Sequence, residues 1–326
     1  MQYFIDISLI LCYNFLRNCE ETGAKKIATA SFVRKIRTFL SEHKKAAAKI
    51  AAVVLAVLAA AAYYVISERP SLSAAGGAEF HFLYVGQGDA TLIRLPEGDV
   101  LVDAGPNSSE TLLEDSLRSA GVRSLKLFFV THPDEDHIGG ADMIVREFAA
   151  GRIYTPDPAS REPDARALRA EAARCGTEPR KTAAGDVFYI GGLRIDVLAP
   201  IEPFFGDANA DSLVLLLTYG ETRVLLTGDA EERSENRILD YYGDSLPRCD
   251  ILKAGHHGSS TSSSEKWLES VRPAIAIISC GKNNPYGHPH AEVLSRLSAL
   301  GITVYRTDRQ GDIVFVSDGI TLALRE

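Results

Sequence analysis

One stretch limits what this chain can fold into more than any other: residues 127–140, Leu-Phe-Phe-Val-Thr-His-Pro-Asp-Glu-Asp-His-Ile-Gly-Gly. The mostly apolar run from Leu125 to Val130 predicts a buried strand. It stops at His132, Asp134, Asp136 and His137, four potential metal ligands within six residues. Carboxylates crowded at a buried strand end are costly unless a cation joins them, and a divalent ion turns that cost into binding energy. Gly139 and Gly140 then let the backbone turn closely around the site before the next helix. The competing interpretation, a solvated acidic turn, does not account for the apolar strand directly in front of it.

Other polar residues stand where predicted strands stop. Asp103 follows Val100-Leu-Val102, Asp229 follows Val224-Leu-Leu-Thr-Gly228, and His256-His257 follow Ile251-Leu-Lys-Ala-Gly255. Strand ends along one edge are where distant segments assemble a site. Taken singly, each is as readily a turn former or a surface group; together with residues 132–137 they supply the His and Asp set that a catalytic metal requires. Gln87 and Asp89 lie on the Gly86-Gln-Gly-Asp89 turn, which either faces the site or only closes a hairpin. His290 reads as structural, and Cys280, after a buried strand, as core. The chain has no Gly-x-Ser-x-Gly elbow and no P-loop, which removes serine hydrolase and nucleotide-phosphate chemistry. Its five cysteines form no Cys-x-x-Cys pair, which argues against a structural zinc module.

Residues 50–67 form an uncharged apolar stretch, about the minimum length for a bilayer-spanning helix. Basic residues from Lys25 to Lys49 precede it and Glu68-Arg-Pro70 follows, so the positive-inside bias places 1–49 in the cytoplasm and the remainder outside. The expectation is a single-pass membrane anchor; secretion after signal cleavage near Ser73-Ala-Ala75 is the alternative, and an Ala-rich core helix is the third reading. Residues 1–24 carry no clear signal. Residues 68–78 read as a linker of small residues. After residue 67 Lys and Arg number 26 against 39 Asp and Glu, a formal −13, which excludes a duplex-coating surface. A nucleic-acid substrate would need a local basic patch or bridging metal ions.

From residue 79 the pattern alternates short strands with turns and helices. Strands are predicted at 80–85, 91–95, 100–102, 125–130, 187–190, 193–198, 212–219, 223–226, 251–253, 274–279, 303–306 and 313–316. Helices are predicted at 110–120, from 141 to 149, within 156–184, and near 231–242, 264–270 and 291–300. Two strand-rich halves with interleaved helices imply two sheets packed face to face with helices outside, an α/β sandwich with αββα layers, over residues 79–326.

Thr131-His-Pro-Asp-Glu-Asp-His-Ile-Gly-Gly140 resembles the His-x-His-x-Asp-His signature of the metallo-β-lactamase fold. The wider set resembles one branch of it, the C-terminal hydrolase domain of the competence protein ComEC. The matching pieces are Val85–Ala90, Val102–Gly105, Thr131–Gly140, Asn209–Leu213, Leu226–Asp229, Leu252–Ser259 and Tyr286–Pro289, in order along residues 79–326. The resemblance implies a hydrolase that uses a metal-activated water and one or two divalent ions, zinc or manganese. By it, His132 and Asp134 would serve one metal position, Asp136 and His137 the other; Asp229 would bridge them and His257 would complete the second. Asp136 and Asp229 would orient the water, and His256 would contact a substrate oxygen. Asp103, Gln87, Asp89, Asn209, Ser212 and His288 would support the ligands or meet the substrate. Asn209 and Ser212 occupy the region where many relatives supply a further His, so the first position is short of ligands. Asp134 replaces the usual middle His, which makes the site richer in oxygen and shifts it from zinc toward manganese or magnesium. Tyr84 stands where ComEC-like sequences often carry Asp.

The implied activity is a membrane-anchored phosphodiesterase or nuclease acting on a phosphodiester, DNA among the candidates, with no nucleotide cofactor. A hydrolase of small esters, such as a phosphocholine ester or a lactone, is the alternative. A binding module with a degraded metal site is the non-enzymatic one. The multi-helix channel and OB-like domain of ComEC are not visible in this sequence, so a role in DNA uptake does not carry over.

Overall fold

The structure is a computed structural model and describes residues 77–325. The apolar stretch 50–67, the basic segment before it and most of the linker lie outside the described residues. Among the described residues no helix is long and apolar enough to cross a membrane.

Two mixed sheets form the centre. The first has eight strands in the order β15-β14-β1-β2-β3-β4-β5-β6, and the second has seven in the order β13-β12-β11-β10-β9-β8-β7, where β7 is Val187–Ile190, β8 Leu193–Ala199 and β9 Val214–Tyr219. In the first, β1 (Ala78–Phe82), β2 (Thr91–Arg94) and β3 (Asp99–Val102) run as the expected antiparallel meander, and β4 (Leu125–Phe129) joins β3 in parallel. In the second, β10 (Thr222–Leu226), β11 (Ile251–Lys253), β12 (Ile275–Ile278) and β13 (Thr303–Arg306) are mutually parallel. β14 (Ile313–Ser317) returns to the first sheet beside β1, with Phe315 opposite Phe80.

Strand periodicity explains the layers. On β3, Val100 and Val102 face the other sheet and Leu101 faces the helices; on β4, Leu127 and Phe129 face inward and Phe128 outward. The inter-sheet core also holds Phe80, Phe82, Leu215, Leu217, Val224 and Ile277, and burying each such side chain contributes about 1.5–3 kcal/mol. Outside the first sheet pack helices Glu110–Ser119, Ala141–Phe148 and Pro163–Arg174; outside the second pack Glu232–Tyr242, Glu265–Val271 and Ala291–Ala299. Each covers its sheet with residues at helical spacing, such as Leu113 and Leu117. Ser264 caps Glu265–Val271 by accepting the Trp267 N–H, which seats the fully buried indole against the second sheet.

The sandwich thus matches the expectation. Three short strands were not expected: β5 (Ile153–Thr155), β6 (Pro179–Lys181) and β15 (Leu322–Leu324). Each has three residues, too few to show an alternation, and β6 and β15 are the edges of their sheet. Cys249 and Cys280 are buried in the outer core of the second sheet, where burial pushes the Cys280 thiol up to about 12, and Cys175 is an exposed free thiol.

Candidate metal centre

The parallel strands β3, β4, β10 and β11 all release their chains at one edge of the sandwich. Asp103, His132, Asp229 and His256-His257 follow them directly. Parallel strands force this, because all their C-terminal ends lie together. The backbone is unusual at these exits: Asp103, His256 and His257 have φ of 61°, 48° and 54°, left-handed values that non-glycine residues adopt where surrounding structure imposes them.

Three imidazoles are held by their Nδ1 atoms. The Thr131 hydroxyl donates to Asp103 Oδ2 at 2.8 Å, so its oxygen accepts from His132 Nδ1 at 3.1 Å. His137 Nδ1 donates to the same Asp103 Oδ2 at 2.8 Å. His257 Nδ1 donates to the Ser279 carbonyl at 3.0 Å. Each ring therefore presents Nε2 to the interior. His132 Nε2 has no hydrogen-bond partner among the described residues, although it is fully buried, and His137 Nε2 and His257 Nε2 face each other at 3.3 Å.

Carboxylates close the set. Asp229 Oδ1 is 3.1 Å from His137 Nε2, and its Oδ2 is 3.6 Å from His257 Nε2. Asp136 Oδ2 is 3.1 Å from His257 Nε2, and Asp134 Oδ2 is 3.7 Å from His132 Nε2 at the half-exposed mouth. Burial alone would lower the His137 pKa; the Asp229 and Asp103 carboxylates override it and hold it well above the usual imidazole range. Burial works the same way on His132, whose pKa falls well below that range because the neighbouring His137 adds to the effect. Asp229, whose burial opposes ionisation, is held well below the carboxylate range by His137 and His257. Asp136 is lowered too, against its burial, by its hydrogen bond to His257.

The donor chemistry fits a divalent cation: buried Nε2 atoms with fixed tautomers, two of them turned toward each other, and carboxylate oxygens among them. One compact group, Asp89, His137, Asp229 and His257, offers ligand atoms all within 4.8 Å of one another. Asp89 was expected only in support, and the Gly-rich turn indeed delivers it here, with the Asp89 N–H donating to the Asp136 carbonyl at 3.0 Å.

The remaining expected residues gather around this centre. Ser212 Oγ accepts the Asp229 N–H at 3.2 Å, and Asn209 Oδ1 is buried without a hydrogen-bond partner among the described residues. Gln87 Oε1 accepts the Gly281 N–H at 3.1 Å. His256 Nε2 lies 3.7 Å from Asp229 Oδ2, with its ring partly open to solvent. The His288 ring stacks near His257 with centroids 6.1 Å apart, and burial and the neighbouring imidazoles lower its pKa to about 4, so it is neutral at pH 7. His290 bonds to Ser260 and the Tyr286 carbonyl, a structural role. Missed by sequence reasoning was Lys253, whose ammonium is buried at the centre; a lysine closing an apolar strand was the available signal.

A cleft of about 700 Å³ opens beside the mouth, with Asp134, Glu135, Asp136, Glu162, Asp164 and Tyr286 in its lining. A larger one, of about 890 Å³, lies among residues 145–180 and contains none of the ligand residues.

Comparison with known proteins agrees with this geometry. The metallo-beta-lactamase superfamily matches residues 83–282. ComE operon protein 3 of Bacillus subtilis is 34% identical over 264 residues, covering 76% of this chain and 34% of that protein. Competence protein ComA of Neisseria gonorrhoeae is 34% identical over 251 residues, covering 77% and 34%. The chain spans about a third of the length of these relatives. Among solved structures, Igni18, a metallo hydrolase from Ignicoccus hospitalis, shares the fold at a TM-score of 0.50 and 17% identity, covering 73% of this chain and 98% of that one. Fold, ligand geometry and sequence agree: the chain belongs to the metallo-beta-lactamase superfamily, and over most of its length it is similar to about a third of each of these two relatives.

Proposed function

We propose that the domain is a metal-dependent phosphodiesterase. The observation that carries this reading is the shared orientation of His132, His137 and His257, each tied at Nδ1, with Nε2 of His137 and His257 offered beside Asp229 and Asp136 and Nε2 of His132 offered 3.7 Å from Asp134. His132 and Asp134 would hold one ion, and Asp136, His137 and His257 the other, with Asp229 between them. When bound, a divalent ion supplies Lewis acidity and draws a nucleophile from water at neutral pH. The chain's own groups do the rest. Asp136 and Asp229 orient the attacking water, His256 hands a hydrogen bond to the substrate oxygen at the open side, and neutral His288 lines the approach.

Measuring metal content and hydrolysis of bis-p-nitrophenyl phosphate by the purified protein, beside His132→Ala and Asp229→Ala, tests this. Wild type should bind metal and cleave the diester, and both variants should lose activity by at least about 100-fold. A wild type that takes up no manganese or zinc and cleaves nothing would overturn the reading in favour of a binding module.

The acidic cleft favours a second reading of the substrate. Five carboxylates beside the mouth repel a polyanion unless metal ions bridge them, whereas a small ester with a cationic headgroup, such as a phosphocholine ester, is attracted. Comparing DNA with phosphocholine esters under the same metal decides between them. The uncharged stretch 50–67 and the basic residues before it support anchoring at the membrane with the hydrolase domain outside. A topology reporter fused after residue 78 that works only in the cytoplasm would reverse that orientation.

A further inference from the structure

Lys253 ends β11 and turns its side chain into the site; the residue is 2% exposed. Its Nζ donates to the Gly228 carbonyl at 3.0 Å, pairs with the Asp89 carboxylate, and stands 4.0 Å from Asp229 Oδ1. Asp89 is equally buried, at 3% exposure. Its backbone is pinned by the bonds from its own N–H to the Asp136 carbonyl and from the Gly105 N–H to its carbonyl, at 3.0 and 2.8 Å. Apart from the lysine, neither of its carboxylate oxygens has a hydrogen-bond partner among the described residues.

By distance alone Asp89 qualifies as a ligand, since it stands with His137, Asp229 and His257 in a compact donor group. The lysine changes that. A buried carboxylate needs a cation, and two cations compete for this one: the metal and the ammonium. A lysine ammonium is a compact point charge on a flexible stem, suited to reach into a crowded centre and sit against a single carboxylate. A catalytic metal, unlike a structural one, must keep a coordination position free.

We propose that Lys253 is a positioning residue that withholds Asp89 from the metal, so that Asp136, His137, Asp229 and His257 hold the inner ion and one position stays open for water or substrate. The inference rests on the metal reading above. Removing the ammonium leaves the buried Asp89 carboxylate with only the His137 Nδ1, 3.8 Å from its Oδ2 and already engaged by Asp103, so a bound metal is the cation left to meet it.

The test loads cobalt(II) into the metal-free full-length protein and follows the visible spectrum, which reports ligand number, together with affinity. Wild type is compared with Asp89→Asn, Lys253→Met and the double variant, all checked for cooperative melting. Asp89→Asn is expected to keep the wild-type spectrum and affinity, because Asp89 is not a ligand. Lys253→Met is expected to lose absorption intensity as a ligand is added and to bind cobalt about tenfold more tightly. The double variant is expected to return to the wild-type spectrum. An altered or lost spectrum in Asp89→Asn makes Asp89 a ligand and overturns the inference; so does a folded Lys253→Met with the wild-type spectrum. Should Lys253→Met fail to fold, Asp89→Asn and the neutral double variant still decide. A wild type that binds no cobalt removes the metal reading itself, and the inference with it, a result distinct from either.

Discussion

The Asp103 carboxylate accepts the Nδ1 hydrogen of His137 at 2.8 Å, and it also takes the Thr131 N–H at 2.7 Å and the Thr131 hydroxyl at 2.8 Å. One side chain at the end of β3 therefore sets the tautomer of His137 and, through the Thr131 hydroxyl, the orientation of His132. Asp103→Asn replaces an acceptor-only group with an amide that also donates, so the His137 tautomer is no longer enforced. The expected result is a loss of about 10–100-fold in metal affinity with the fold retained, read by calorimetric titration of manganese. Unchanged affinity would remove Asp103 from the support of the centre.

Gly88 brings the turn before Asp89 against the short helix Glu135–Ile138, which carries Asp136 and His137. Its φ is 153°, and a Cβ placed there would lie 2.4 Å from the Asp136 carbonyl oxygen and 2.8 Å from Pro106. Gly88→Ala should cost about 1–3 kcal/mol in urea unfolding and depress hydrolysis, because the turn and the Asp136 segment must separate. Gly176 also has positive φ but nothing within 4 Å of a Cβ. Gly176→Ala should cost only the local strain, about 1 kcal/mol, and leave hydrolysis unchanged.

The cleft charge sorts the substrates. Glu162 is an exposed member of its acidic lining. Glu162→Lys should raise kcat/KM for an oligonucleotide and lower it for a choline ester, each by about 2–5-fold at low salt, with the difference shrinking as ionic strength rises. The same kcat/KM for both substrates in variant and wild type would show that the cleft does not carry the substrate.

His81 gives stability a pH slope away from the site. It lies on β1, largely buried, with Nε2 2.9 Å from Glu79 Oε2, and burial lowers its pKa despite that carboxylate. The unfolded chain then binds the proton more readily than the native one, so His81 opposes folding increasingly as pH falls below about 6.5. Replacing it with Leu should narrow the gap between the urea midpoints at pH 7.5 and pH 5.5. A gap as wide as in wild type would assign the slope to other groups.

Much of this protein was legible from local pattern. The alternation in Val100–Val102 and the helical spacing of Leu113 and Leu117 announce their faces, because burial on one side of a strand or helix imposes a period on the sequence. The polar residues that end apolar runs announce the site, since a charge directly after a buried strand must be held by something. Short edge strands such as Pro179–Lys181 were not legible, because three residues make no period and their pairing partners are supplied by the sheet. Nor was the pairing of Asp89 with Lys253. The resemblance already separates Asp136 and Asp229, as ligands, from Asp89 and Asp103, as support; the fold adds what each one meets, with Asp103 behind His137, Asp136 and Asp229 beside the Nε2 atoms of His257 and His137, and Asp89 paired with Lys253. Residue type fixes what a side chain can bind. Only the meeting of strand ends decides which partner it meets, since ion pairing and ligation act over a few ångströms between segments far apart in the chain.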